Sequence, residues 1–252
     1  MVIMKEKRRF EMSKTKIDDI KIYRSEGKPI AEEEREARME KKVFYGFESV
    51  YPEAVSGTSE WFCGQVTPCA EAYEVPDYKG NYIGTRLYLF YKDGTVYEPI
   101  PQEKNVFLEA SVYSRDRNSF GLLRYDFNVK QIQAYEYFPD TGTLTLLTEI
   151  KMERAGDLFN IGMVKEPFMV IQYHAQEDIV DFLWPEEKRV QLEENESLMC
   201  IEEGTMILQR WMEDPEYHEE IIYRRMEDAS IIKREPGYCV EMPDGTTWFM
   251  VS

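Results

Sequence analysis

The chain has 252 residues, with 48 acidic against 31 basic side chains and a formal net charge of −17. That balance opposes a duplex-nucleic-acid binder, which needs a cationic face to displace counterions from phosphates. No run of 18 or more apolar residues occurs, which argues against a transmembrane helix and leaves no membrane partner expected. Hydrophobic residues at 43% and aromatics at 13% are enough for a packed core, so a folded chain is expected rather than a disordered one. The surplus negative charge resists self-association, so a monomer is expected.

Residues 1–16 carry six basic and two acidic side chains and read as a basic flexible tail. Nothing there has the apolar stretch of a secretion signal, which predicts a cytoplasmic protein. Residues 17–252 read as one domain. Its only helix candidate is a surface helix over 31–42, where acids precede bases by about one turn in Glu32-Glu33-Glu34-Arg35-Glu36. Residues 43–57 read as an insertion ahead of the regular pattern.

From Val43 onward, short runs rich in Val, Ile, Tyr, Phe and Leu alternate with turn clusters such as Lys92-Asp93-Gly94, Pro139–Gly142 and Pro243-Asp244-Gly245. That spacing predicts an all-β fold. One hairpin type recurs, with a strand ending in an aromatic before a polar turn. Its aromatics are Tyr91, Phe138, Trp184 and Tyr223, separated by 47, 46 and 39 residues. A second hairpin type sits between the first: Val112–Asn118 into Phe120, Met163–Pro167 into Phe168, Cys200–Gly204 into Met206, and Val240–Gly245 into Thr247. Two hairpins per period make four strands per unit.

The last unit has only two strands, 238–242 and 246–251, and the stretch 20–30, Ile20-Lys21-Ile22-Tyr23-Arg24 through Ile30, has the pattern of the missing hairpin. The whole resembles a five-bladed β-propeller, with blades over 58–102, 105–150, 157–194 and 197–235 and a composite blade closed by N-terminal strands. The resemblance is at the level of fold; no blade signature of the WD-repeat or kelch kind is present.

Such a resemblance implies a site at one mouth of a central channel lined by the first strand of each blade. The expected strands are 61–66, 106–113, 158–164, 198–202 and 238–242. Five-bladed propellers as a class include carbohydrate hydrolases, nucleotidases and lectins, but fold does not fix function. Candidate ligand-binding residues on or beside these strands are Trp61, Glu109, Tyr113, Arg115, Asp157, Glu202 and Glu241. Paired carboxylates would suit glycoside hydrolysis and exposed rings would stack on a sugar. Glu60 and Glu196 are further acids near these strands. Trp211 and Trp248 sit in apolar runs and are expected to pack between blades, whereas Trp184, before Pro185, is expected at the surface.

No catalytic constellation is assigned. The two histidines, His174 and His218, follow tyrosines at strand-like ends and read as exposed. The four cysteines, Cys63, Cys69, Cys200 and Cys239, read as reduced thiols. Cys63 and Cys69 lie too far apart for a zinc knuckle, and no metal or cofactor is expected. The reading is a non-enzymatic binding or scaffold protein whose rim holds a protein or small ligand. One alternative is a carbohydrate-active enzyme or lectin using channel carboxylates and aromatics. The other is an acidic decoy that inhibits a nucleic-acid-binding protein.

Overall fold

A computed structural model describes residues 42–165 and 167–251. The basic segment 1–16, the stretch 20–30 and nearly all of the helix expected over 31–42 lie outside the described residues. The fold below is that of the compact unit Gly46–Ser252.

Its strands form antiparallel sheets in which neighbours in sequence are neighbours in space. The first sheet holds β1 (Glu53–Ala54), β2 (Trp61–Val66), β3 (Arg86–Tyr91) and β4 (Val96–Tyr97). The second holds β5 (Val106–Ser114), β6 (Ser119–Asp126), β7 (Gln131–Phe138) and β8 (Thr143–Lys151). The third holds β9 (Ile161–Val164), β10 (Met169–His174), β11 (Ile179–Trp184) and β12 (Lys188–Gln191). The fourth holds β13 (Glu196–Glu202), β14 (Thr205–Met212), β15 (His218–Arg225), β16 (Ile231–Glu241) and β17 (Thr247–Val251).

Local chemistry explains the turns. Asp93, Asp228 and Asp244 each accept a hydrogen bond from the backbone N–H two residues on, at 2.7–3.0 Å. This local bond closes the turn in place of a ladder bond. Burial is uneven between strands of one sheet. In the second, every residue of β6 is buried, whereas most of β8 is exposed. The polar members of β6 are satisfied internally: Ser119 donates to Glu136 at 2.6 Å, and Arg124 donates to Asp126 at 2.7 Å and to Gln133 at 2.6 Å.

The sheets stack face to face in chain order, and three apolar layers hold them. Trp61, Leu87 and Leu89 meet Val106, Phe120 and Leu122 between the first and second sheets. Phe107, Leu123 and Tyr125 meet Met163, Phe168 and Val170 between the second and third. Val180 and Phe182 meet Met206, Leu208 and Ile222 between the third and fourth. Each such side chain stabilises by about 1.5–3 kcal/mol on burial. The innermost segments of the first two sheets run in the same direction, since Ser56 bridges Val112 in parallel. Sequential four-stranded meanders, stacked with parallel inner strands, make a β-propeller.

The described residues show four blade sheets, where the periodicity predicted five. The hairpin of β16 and β17 extends the fourth sheet to five strands. Strand β16 is long enough to serve twice: Ile231–Pro236 pairs with β15, and Gly237–Glu241 pairs with β17. The expected inner strand of the first blade is also corrected. Residues 53–56, within the stretch read as an insertion, are innermost, and Trp61–Val66 is the second strand. The true excursion is 67–85, between β2 and β3, which carries a 3-10 helix at Ala72–Tyr78. A second helical turn, α1 (Met152–Ala155), follows β8. Neither is long enough to leave a helical period in the sequence, and no helix among the described residues is long and apolar enough to cross a membrane.

Candidate functional site

The ends of the inner strands gather at one mouth. There Glu241, at the end of β16, accepts from Ser56 Oγ at 2.8 Å and from Lys165 Nζ. Ser56 belongs to the first blade and Lys165 follows β9 of the third, so one carboxylate ties three parts of the ring. Backbone closes the same seam. Gly245, with φ +81°, lies so near Gly57 that a Cβ would sit 2.4 Å from the Gly57 oxygen. Cys200 of β13 stands beside this group, hydrogen-bonded to Thr247 of β17. Burial pushes its thiol upward, with Glu202 adding to the rise and Thr247 and Lys165 opposing it. A thiol held protonated is a poor nucleophile.

A recess at this mouth is lined by Gly57, Glu60, Tyr113, Arg115 and Asp244. Lys92 and the Tyr91 hydroxyl hold the Glu60 carboxyl below its usual range, against an upward pull from burial. The Asp244 carboxyl is also lowered, first by the Thr246 hydroxyl and backbone and then by Arg115 nearby. Tyr113 is buried, its ring 5.0 Å from Phe120 and its hydroxyl donating to Asn118. Of the residues singled out from sequence, Tyr113, Arg115, Glu202 and Glu241 therefore come to this end.

Trp61 lies buried beneath this end, against the Phe120 ring that packs on Tyr113, and the other two lie elsewhere. Trp61 is only 5% exposed, between Tyr91, Tyr97 and Phe120, so its faces are taken by protein and none is left for a sugar. Asp157 lies at the opposite end, ahead of β9, where it accepts from the Phe159 N–H at 3.0 Å and from Gln172 at 3.2 Å. Glu109 sits within β5, away from both ends. Its carboxyl is raised to about 7, first by burial and then by Glu71, while a hydrogen bond from the Tyr125 hydroxyl opposes the rise. Glu196 is fully buried and gripped by Arg224 through Nε at 2.8 Å and Nη2 at 2.6 Å.

The remaining expectations divide. All four cysteines are free thiols, with Cys69 and Cys239 buried. His218 is exposed, but His174 is half-buried with Nε2 3.1 Å from Asp181, which Arg189 also holds. Trp184 packs against the second inter-sheet layer instead of lying free. Trp211 and Trp248, expected to pack, are 42% and 55% exposed. Trp211 shares a face of β14 with Ile207, and Trp248 is on the edge strand. Among the described residues no group of three or more His, Cys, Asp or Glu is placed to hold a metal.

The opposite end carries a cleft of about 750 Å³. Val75 and Pro76 of the excursion, Phe127 and Val129 of the β6–β7 turn, and Met152 and Leu158 line it. Asn105 in its wall, with φ 60°, immediately precedes β5; Asn160 and Asn195, at φ 52° and 63°, immediately precede β9 and β13. Asparagine tolerates this left-handed backbone better than most residues. Asn105 and Asn160 then accept from the N–H groups of Phe127 and Tyr173 at 3.0 Å each. This asparagine mark is a repeat signal the apolar pattern did not expose, as were the roles of Lys165 and Ser56.

No family model and no curated protein sequence matches the chain. Among solved structures, it is similar to the β-propeller domain of the Trilobed protease from Pyrococcus furiosus, at 11% identity and a TM-score of 0.42 over 75% of this chain and 57% of that one. It is also similar to prolyl oligopeptidase B from Galerina marginata, at 11% identity and a TM-score of 0.41 over 89% of this chain. The chain spans 57% of the first and 33% of the second.

Proposed function

We propose that the protein is a non-enzymatic binding protein that presents the ends of a propeller to a protein partner. One observation carries this. The acids near the mouth and inner strands are engaged by the protein itself: Glu241 by Lys165 and Ser56, Glu60 by Lys92 and Tyr91, Glu196 by Arg224. A glycosidase pair needs one free carboxylate and one protonated carboxyl about 5–10 Å apart, flanking the substrate. Cross-braced acids hold the ring together instead.

A five-bladed ring belongs to the same reading. The hairpin of β16 and β17 supplies half a blade, and the edge strand exposes Trp248, Phe249, Met250 and Val251 by 38–58%. Trp211, Ile231 and Ile232 on the fourth sheet are also 42–49% exposed. Apolar surface on an open strand edge is a template for further strands. The stretch 20–30 carries the sequence pattern of the missing hairpin.

The second reading, a carbohydrate-active enzyme, is favoured by Glu109 alone, because a carboxyl raised to about 7 is what a general acid requires. Affinity capture from cell extract tests the first reading. The immobilised full chain is compared with variants of the cleft (Val129→Asp) and of the mouth (Arg115→Glu). A protein retained by the wild type and lost from one variant supports a binding surface at that end. Equal retention by all three overturns both surfaces.

A further inference from the structure

We propose that the cleft opposite the braced mouth takes an acidic, apolar peptide segment of a partner protein; this rests on the binding-protein reading above. The cleft is assembled from three separate elements, the 67–85 excursion, the β6–β7 turn and the segment after β8, so its floor does not depend on one loop. Backbone bonds fix it: Phe127 N–H donates to Asn105 at 3.0 Å, and Met152 N–H donates to Lys130 at 3.0 Å. The floor is apolar. Val75 and Met152 are buried, while Val129 at the rim is 59% exposed. An apolar side chain entering between them finds a surface already held in place.

Charge narrows the occupant. The charged lining residues are Lys130, Lys151 and Glu153. Glu153 is already faced by Lys151 at 3.6 Å, so the surplus at the rim is positive. On a chain of net charge −17, that surplus is a local inversion. A partner carrying carboxylates meets attraction here and repulsion over most of the remaining surface, which gives both registry and selectivity. In the wall, the side-chain oxygen of Asn105 is buried and has no donor among the described residues, while its amide donates to Asn128 at 3.0 Å. That oxygen is enclosed in the wall, and a buried acceptor without a donor is costly. Apolar floor and cationic rim together describe a peptide carrying apolar anchors flanked by Asp or Glu.

The test is selection of a random displayed peptide library on the full-length protein, with each binder then titrated by fluorescence polarisation. Val129→Asp places a charge at the cleft entrance, and Lys130→Glu with Lys151→Glu reverses the rim. All three positions are exposed, and matching thermal midpoints establish that the variants remain folded. The expected binders are rich in Asp and Glu around Leu or Phe, and they lose roughly tenfold in affinity on rim reversal. Their affinity weakens as salt rises. Binders indifferent to Val129→Asp bind elsewhere, which overturns the cleft proposal and leaves the binding-protein reading intact. Cleft-dependent binders rich in Lys or Arg overturn the acidic occupant. A library that yields no binder also overturns the proposal, while the extract capture judges the broader reading separately.

Discussion

Replacing Glu109 by Gln should make the protein's stability less sensitive to pH, and the size of the effect follows from its surroundings. The carboxyl rises from 4.5 to about 7, chiefly because burial disfavours its charged form and because Glu71 repels it. Between those values the folded chain keeps a proton that the unfolded chain has released. The folded state therefore binds more protons, and stability falls as pH rises through this window, levelling off above about 7. The shift corresponds to roughly 3 kcal/mol as an order of magnitude. Gln keeps an oxygen to accept from Tyr125 but cannot ionise. Urea melts of wild type and Glu109→Gln at a series of pH values should show similar stability near pH 4.5. The variant should then gain on the wild type as pH rises, by about 2–3 kcal/mol at about pH 8. A difference that stays flat across the window would refute the account of Glu109 as a half-buried carboxyl that keeps its proton.

Other substitutions test the packing and the seams. Arg224→Met leaves Glu196 fully buried without its cation and should cost about 3–5 kcal/mol, a fall in thermal midpoint of roughly 6–20 °C. The double variant Arg224→Met with Glu196→Gln should recover part of that loss, and a double-mutant cycle in calorimetry showing no coupling would contradict the pairing. Gly57→Ala places a Cβ 2.3 Å from the Tyr113 carbonyl oxygen at φ +98°, so a loss of at least about 2 kcal/mol in urea melts is expected, and an unchanged midpoint would count against the close seam.

The blade grammar was readable because each turn carries its own chemistry. Asp93, Asp228 and Asp244 sit where a side chain can close a turn, and the aromatics before the turns at 91, 138 and 184 end third strands. Blade boundaries were harder. The first inner strand spans only a few residues near Glu53, too short to show alternation. The 67–85 excursion breaks the period there. Strand β16 changes partner at the Pro236-Gly237 step, a break the apolar pattern on either side masked. Exposure was misread where it depends on neighbours far along the chain. Trp61 looks like any strand-end aromatic until Phe120 covers it, and Trp211 looks like a core residue until its facing strand is sought. The mouth was only half visible. Glu241 could be proposed from its strand, but its partners Ser56 and Lys165 lie 185 and 76 residues away and belong to no local motif. Asn105, Asn160 and Asn195 were legible in principle, since an asparagine directly before an inner strand recurs in three blades.

The central claim is that this propeller binds without reacting, and Glu109 is the residue on which the contrary case rests. Purified full-length protein and its Glu109→Gln variant should be incubated with a panel of chromogenic glycosides from pH 4.5 to about 8. Release of chromophore by both proteins at the rate of buffer alone is the result the account predicts. Turnover by the wild type that vanishes in Glu109→Gln and follows a titration near pH 7 would contradict it, and would make Glu109 the acid of a glycoside hydrolase.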